Sequence, residues 1–197
     1  FQHSIHRRRR GQHLGGSPFT RVFREGGASV PNDQKKKAFF NNGSTVDAKL
    51  NNNVVKINKL LVYNSYSGTI DLNGKDLNSS KGGLIQGTIL INGGILQTWG
   101  WTTIESGGLV NASGSGSRIK IGHNLSVKNG GTLTAPDGGG DRFIVRGGFN
   151  IHSGGTFNHN NGTVTLTTKW RNANNKPTAR IYIEDGPGTG RDFYNLR

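Results

Sequence analysis

The chain has 197 residues, of which 31% are hydrophobic, 32 are glycine and none is cysteine, with a formal net charge of +14. That length suits one domain, and the low apolar share, against roughly 45–50% by a count that includes glycine, combined with abundant Gly, Asn and Thr, excludes a mainly helical core and favours strands joined by tight turns. Disulfides and thiolate metal sites are excluded by the missing cysteine, and the longest apolar run, Leu60-Leu61-Val62-Tyr63, is far too short for a transmembrane segment.

Residues 1–38 carry half of the excess charge, a net +7. Arg7-Arg8-Arg9-Arg10 and Lys35-Lys36-Lys37 bracket a stretch with Pro18, Pro31, Gly and Ser, which predicts a basic extended arm. Within it only Phe19-Thr20-Arg21-Val22-Phe23 alternates as a strand does. Phe1-Gln2-His3-Ser4-Ile5 runs into arginines rather than an apolar segment, and the first residue is not Met. These features predict a processed piece of a longer precursor.

From Phe39 the pattern changes to short strand-like runs, among them Val54-Val55-Lys56-Ile57, Thr69-Ile70-Asp71-Leu72 and Thr88-Ile89-Leu90-Ile91, separated by Asn-Gly, Ser-Gly and Gly-Gly corners. Four Gly-Gly pairs, Gly93-Gly94, Gly107-Gly108, Gly130-Gly131 and Gly154-Gly155, set a register. Three residues before each pair's first glycine lie Leu90, Ile104, Val127 and Ile151; three after it lie Leu96, Val110, Leu133 and Phe157; five before it lie Thr88, Thr102, Leu125 and Phe149. Gly82-Gly83 is a candidate for an earlier repeat. Alternation places each column on one strand face, and stacking the repeats turns each column into an internal ladder at about 4.8 Å per step. The expectation is an all-β parallel β-solenoid, or β-helix, of about 22–25 residues per coil. It spans residues 39–170, and residues 171–197 form a C-terminal strand or cap or continue the coil. A β-sandwich also delivers strands at short intervals, but it does not need one corner type in one register.

The stretch from Gly147 to Leu166, with Gly147-Gly148-Phe149-Asn150-Ile151-His152-Ser153-Gly154-Gly155-Thr156-Phe157, resembles the repeats of large bacterial surface proteins with parallel β-helix folds. Ser67-Gly68-Thr69-Ile70-Asp71-Leu72 and Phe193-Tyr194-Asn195-Leu196 resemble recurring phrases of the same repeats. Such proteins are adhesins, stalks or envelope fibres. The resemblance therefore implies an exported, extracellular or cell-surface structural role without a cofactor, and self-association through strand or end-to-end pairing. The basic arm and the charged stretch from Lys169 to Gly190 depart from the pattern.

Residues able to carry chemistry are few. Asp71/Asp76, Asp137/Asp141 and Glu184/Asp185 are the close acidic pairs among eleven acids. Polysaccharide lyases and hydrolases on this scaffold need clustered carboxylates, so no catalytic or metal-binding residue is assigned and the chain is read as non-enzymatic. The glycine-rich turn from Asp137 to Arg142 is a single copy of a calcium-like pattern and is read as a solvated turn. His152 and His159 flank Gly154-Gly155 without forming a zinc set. Trp99 and Trp101 are expected to face outward on one strand face, where two indoles can stack on sugar rings or bury against another subunit. Arg7, Arg8, Arg9, Arg10, Lys35, Lys36 and Lys37 suit a polyanion, such as an anionic surface glycan, or a subunit contact. Nucleic acid is disfavoured because no base-reading motif accompanies them.

Overall fold

The computed structural model describes residues 33–43, 46–168, 179–185, 190 and 192–197. The chain winds in coils of three short strands. The first coil holds β1 (Ala38–Phe40), β2 (Ala48–Lys49) and β3 (Val54–Ile57), and the second β4 (Leu60–Val62), β5 (Thr69–Asp71) and β6 (Asp76–Ser79). The third holds β7 (Gly83–Ile85), β8 (Thr88–Leu90) and β9 (Ile95–Thr98), and the fourth β10 (Thr102–Ile104), β11 (Leu109–Asn111) and β12 (Arg118–Ile121). The fifth holds β13 (Leu125–Val127), β14 (Thr132–Thr134) and β15 (Gly138–Val145), and the sixth β16 (Gly148–Ile151), β17 (Thr156–Asn158) and β18 (Gly162–Leu166). Beyond them lie β19 (Arg180–Ile183) and β20 (Asn195–Leu196).

Equivalent strands of successive coils pair in parallel. Sheet one runs β1-β4-β7-β10-β13-β16-β19, sheet two runs β2-β5-β8-β11-β14-β17, and sheet three runs β3-β6-β9-β12-β15-β18-β20. The result is a parallel β-solenoid of about six turns with roughly 23 residues per coil, the architecture that the glycine periodicity predicts. The chain enters the first coil through a parallel bridge between Asp33 and Ile57.

Alternation decides which side chains go inside. In sheet one Phe40, Val62, Ile85, Ile104, Val127 and Ile151 stack rung upon rung, all buried. Sheet two stacks Ala48, Ile70, Ile89, Val110, Leu133 and Phe157. Sheet three stacks Val55, Leu77, Leu96, Ile119, Phe143 and Val164. Each fully buried Leu, Ile or Phe contributes about 1.5–3 kcal/mol of transfer free energy, and the three columns merge into one continuous core. Near the C-terminal end the filling becomes aromatic. Phe143, Phe149 and Phe157 come one from each sheet, with ring centroids 5.1 to 6.1 Å apart. Phe193 then lies over Phe149 and Phe157 at 5.8 and 5.1 Å.

The structure corrects the register in one place. Leu90 lies in sheet two beside Asp71 and Asn111 and is only half-buried, and Thr88 pairs with Thr69 and Leu109 rather than with Thr102. Leu96 is buried, but in sheet three. The cause is that Gly-Gly pairs serve different corners. Gly107-Gly108, Gly130-Gly131 and Gly154-Gly155 turn the chain from sheet one to sheet two, whereas Gly93-Gly94 turns it from sheet two to sheet three. Gly82-Gly83 sits where sheet three hands over to sheet one.

The two corners solve different problems. At the first, the N–H groups of Gly108, Gly131 and Gly155 donate to the carbonyls of Glu105, Lys128 and His152 at 2.8, 2.9 and 2.8 Å. The leading glycine has φ of +81°, +71° and +71° respectively, the pattern of a type II turn. The second glycine is needed because a Cβ there would meet the preceding coil's backbone, 2.7 Å from Ile104 O at Gly131 and 2.6 Å from Val127 O at Gly155. At the second corner Asn73-Gly74, Asn92-Gly93 and Asn160-Asn161 all have positive φ, the pattern of a type I′ turn, for which Asn followed by Gly is the preferred chemistry. Asn73 and Asn160 also donate side-chain N–H to the carbonyls of Leu50 and Ala135 one coil back.

Candidate functional site

The third corner, from sheet three to sheet one, differs from the other two. Its successive coils present Asn58-Lys59, Ser80-Lys81-Gly82, Trp99-Gly100-Trp101, Gly122-His123-Asn124 and Arg146-Gly147. Beneath it the inward positions of two successive coils carry hydroxyls. Ser79 Oγ donates to the carbonyl of Gly82 at 2.6 Å, and Thr98 Oγ1 lies 2.6 Å from Thr102 Oγ1, all of them buried. These groups satisfy polar atoms that the sharp turn brings inside, where an unmatched one costs about 1–3 kcal/mol.

Trp99 and Trp101 are 46% and 66% exposed. They do not share a strand face. They straddle Gly100 at the corner itself, after β9 and before β10, because Thr98 and Thr102 take the inward positions on either side. Trp101 Nε1 donates to His123 Nε2 of the next coil at 3.2 Å. The two rings lie 5.4 Å apart.

Trp99 turns the other way, up sheet three. A Cβ on Gly122 would stand 2.9 Å from Trp99 Cα and 3.0 Å from its Cε3, so the indole rests against backbone that only glycine leaves open. Two coils up, the Arg146 guanidinium sits 5.3 Å from the Trp99 ring centroid, a cation–π arrangement. The outward positions of sheet three border a shallow depression of about 30 Å³ lined by residues that include Gln97, Trp99, Lys120, Gly122, Ile144 and Arg146. Gln97, Lys120 and Ile144 are ladder partners on adjacent coils. Among the described residues neither Lys120 nor Arg146 has a carboxylate partner within salt-bridge distance.

The acidic pairs are otherwise engaged. Arg142 Nη1 holds Asp137 Oδ1 at 2.6 Å, pinning the bulge where β15 slips register between Gly138 and Phe143. Asp141 lies 3.9 Å from Arg118. Asp71 Oδ1 accepts from Asn73 N and Asn92 Nδ2. Glu184 and Asp185 accept from the N–H groups of Ser153 and Gly154, docking the end of β19 on the sixth coil. His152 Nδ1 lies 3.3 Å from Glu184 Oε2, while His159 stacks on Tyr194. Among the described residues no group of three or more His, Asp or Glu could hold a metal ion.

Of the basic residues singled out in the sequence, Arg7 to Arg10 lie outside the described residues. Lys35 is exposed and Lys36 and Lys37 are half-buried, in the segment that enters β1. Lys120 and Arg146 escaped the sequence reading. Their signal is one of interval, since Lys120 falls one coil after Gln97 and Arg146 one coil after Gly122, and it is legible only once the coil length is known. No family model, curated protein or solved structure matches the chain.

Proposed function

We propose that the chain is a non-enzymatic structural protein of the cell surface or extracellular space, a β-helical segment of a fibre, stalk or adhesin that associates by strand or end-to-end pairing. One observation carries this reading. β20 lays Asn195 and Leu196 on Thr163 and Val164 in the parallel pairing that joins the earlier strands of its sheet. The edge of each coil thus resembles the edge below it, and β19 and β20 end their sheets with edges of that kind, whereas the Phe157 N–H of β17 already donates to Gly190 O. A strand from a second copy fits such an edge as the next coil does, and head-to-tail pairing of this type propagates into a filament.

Sedimentation velocity and electron microscopy of the full chain, and of a form lacking residues 1–32, test it. Concentration-dependent elongated species, shortened or lost without the arm, are expected. Monomers at every concentration, the same with and without the arm, would remove the reading.

A second reading, a glycan-binding adhesin surface, rests on the exposure of Trp99 and Trp101. It is favoured over lyase or hydrolase chemistry on the same scaffold because Asp137 and Asp141 are drawn to arginines on the face of sheet three.

A further inference from the structure

We propose that residues 19–32, running into Asp33, close the N-terminal end of the solenoid as one abbreviated coil, with residues 19–23 lying as a strand beneath β1. The surface is the open end of the first coil, and its occupant is this chain's own arm. The inference deepens the association reading, because residues 19–23 and not β1 then offer the edge that the tail of a second copy meets. Only that consequence rests on the association reading; the closure does not.

The two ends of the core are covered very differently. Among the described residues the ladders continue below the first coil only at Asp33, bridged to Ile57. Yet Phe40, Leu50, Val55 and Ile57 of that coil are each no more than 2% exposed. At the other end, Leu196 is the last rung of the inward column that Val55 begins, and it is 55% exposed against 1% for Val55. Ile183, the last rung of the column that Phe40 begins, is half-buried. An end rung left to water looks like Leu196, so chain ahead of Asp33 covers the first coil. The cover reaches the outside of sheet one as well, where Leu61 faces outward between Phe39 and Leu84 and is nevertheless only 8% exposed.

The sequence names the covering residues. Phe23-Arg24-Glu25-Gly26-Gly27 repeats the corner that turns sheet one into sheet two, an apolar residue, two polar residues and two glycines. The same order stands in Ile104-Glu105-Ser106-Gly107-Gly108, Val127-Lys128-Asn129-Gly130-Gly131 and Ile151-His152-Ser153-Gly154-Gly155. Ile104, Val127 and Ile151 are inward rungs of sheet one, so the match puts Phe23 beneath Phe40. Alternation then turns Val22 outward beneath Phe39, where it extends the apolar strip of Phe39, Leu61 and Leu84. Arg21 falls below Ala38, at an end where its stem can cover the coil while the guanidinium reaches water. Ten residues run from Phe23 to Asp33, where the third coil takes thirteen from Ile85 to Thr98. The winding is therefore too short for a full strand under sheet two. In agreement, Ala48 of sheet two is the least buried of the first coil's inward side chains, at 6%.

The test is disulfide trapping in the full chain at a concentration where it is monomeric, which the absence of native cysteine makes clean. In Val22→Cys with Phe39→Cys, paired strands put the two Cα atoms about 5 Å apart, within disulfide range. An intramolecular disulfide is expected to form about tenfold faster than in Arg10→Cys with Phe39→Cys, whose first cysteine lies outside the proposed strand. Equal rates, or a disulfide only between two copies, would overturn the closure. Hydrogen exchange read by mass spectrometry checks the register. Phe23→Asp is expected to lower protection of β1 and β3 about tenfold, as removal of residues 1–32 does, with β10 to β12 unchanged. Thr20→Asp, on the outward side, is expected to change it by less than about threefold. Unchanged protection in both Phe23→Asp and the truncated chain would also overturn the closure, and equal effects of Phe23→Asp and Thr20→Asp would overturn its register. Sedimentation velocity of a chain lacking residues 1–14 separates the two readings. Elongated species that persist in that form and vanish without residues 1–32 support residues 19–23 as the head edge, whereas loss or persistence in both forms alike would refute that edge. Monomers in every form, with trapping intact, would remove the association reading and leave the closure standing.

Discussion

Phe149 is the side chain whose removal reads out most directly how this solenoid is held together. It is fully buried and meets Phe143, Phe157 and Phe193 at centroid distances of 5.7, 5.1 and 5.8 Å, with interplanar angles of 66°, 88° and 89°. Those are edge-to-face contacts, each contributing about 0.5–1.5 kcal/mol beyond area burial. Phe149→Ala leaves a cavity bordered by Phe143 of sheet three, Phe157 of sheet two and Phe193, and the first two rings are fixed to paired strands that resist closing over it. The expected loss is therefore at the upper end of the usual 3–5 kcal/mol for a buried Phe, about 4–5 kcal/mol. In a stacked array each coil contacts only its neighbours, so the loss should be local. Urea denaturation followed by circular dichroism measures the magnitude. Hydrogen exchange read by mass spectrometry locates it, with protection falling in β16 to β20 and persisting in β4 to β9. Ile85→Ala, a buried site in the third coil, should invert that pattern. A loss below about 1.5 kcal/mol, the range of well-tolerated core swaps, would refute the aromatic plug. Equal loss of protection from end to end would refute nearest-neighbour stability.

Three further outcomes follow from particular contacts. Gly122→Ala forces a Cβ to within 2.9 Å of Trp99 Cα and should cost about 1–3 kcal/mol in thermal denaturation; Gly74→Ala, which meets nothing within 4 Å but has φ +73°, should cost only the left-handed backbone term of about 1–2 kcal/mol. Thr98→Val strands the hydroxyl of Thr102 and should cost about 1–3 kcal/mol, whereas Thr98→Val with Thr102→Val together should cost less than the single change; a double-mutant cycle with no coupling would contradict the paired hydroxyls. Tyr66 is buried with its hydroxyl donating to Val46 O at 2.9 Å, and burial, aided by the Asp47 charge, pushes its pKa from 10.0 to about 12. The unfolded chain releases that proton first, so the contribution is whole below pH 10 and is lost as pH rises from 10 towards 12. Wild type should thus lose stability over that window relative to Tyr66→Phe, and parallel pH profiles would contradict the buried phenol.

The third corner also shows how function can be placed on a repetitive scaffold. Two corners are committed to turn chemistry and packing, through paired glycines and through asparagines that bond back to the coil below. At the third, successive coils differ in what they present, Lys81, then Trp99 and Trp101, then His123, then Arg146. Buried Ser79, Thr98 and Thr102 satisfy the turn from beneath in two of these coils, and the outward residues contact one another, Trp101 with His123 and Trp99 with Arg146.

Much of the architecture was determined by the sequence alone. A glycine with positive φ followed by one with no room for a Cβ is a local requirement, and alternation within three- or four-residue strands is local too. Gly107, Gly130 and Gly154 therefore announce both the coil and its period, and Ile104, Val127 and Ile151 announce an inward column. What local chemistry cannot tell apart is which corner a glycine pair turns. Gly93-Gly94 has the same composition as its counterparts, yet it joins sheet two to sheet three, and Leu90 and Leu96 leave the columns that spacing assigned to them. Coil length is also elastic. Gln86 reaches Glu105 across 19 residues, and Asn124 reaches Gly148 across 24. Only the hydrogen-bonded ladder settles the register, because it is made between residues a whole coil apart. The same holds for the depression at the third corner. Trp99 was visible as an exposed aromatic residue, but Lys120 and Arg146 join it only by stacking, an arrangement of neighbouring coils that no short stretch of chain encodes.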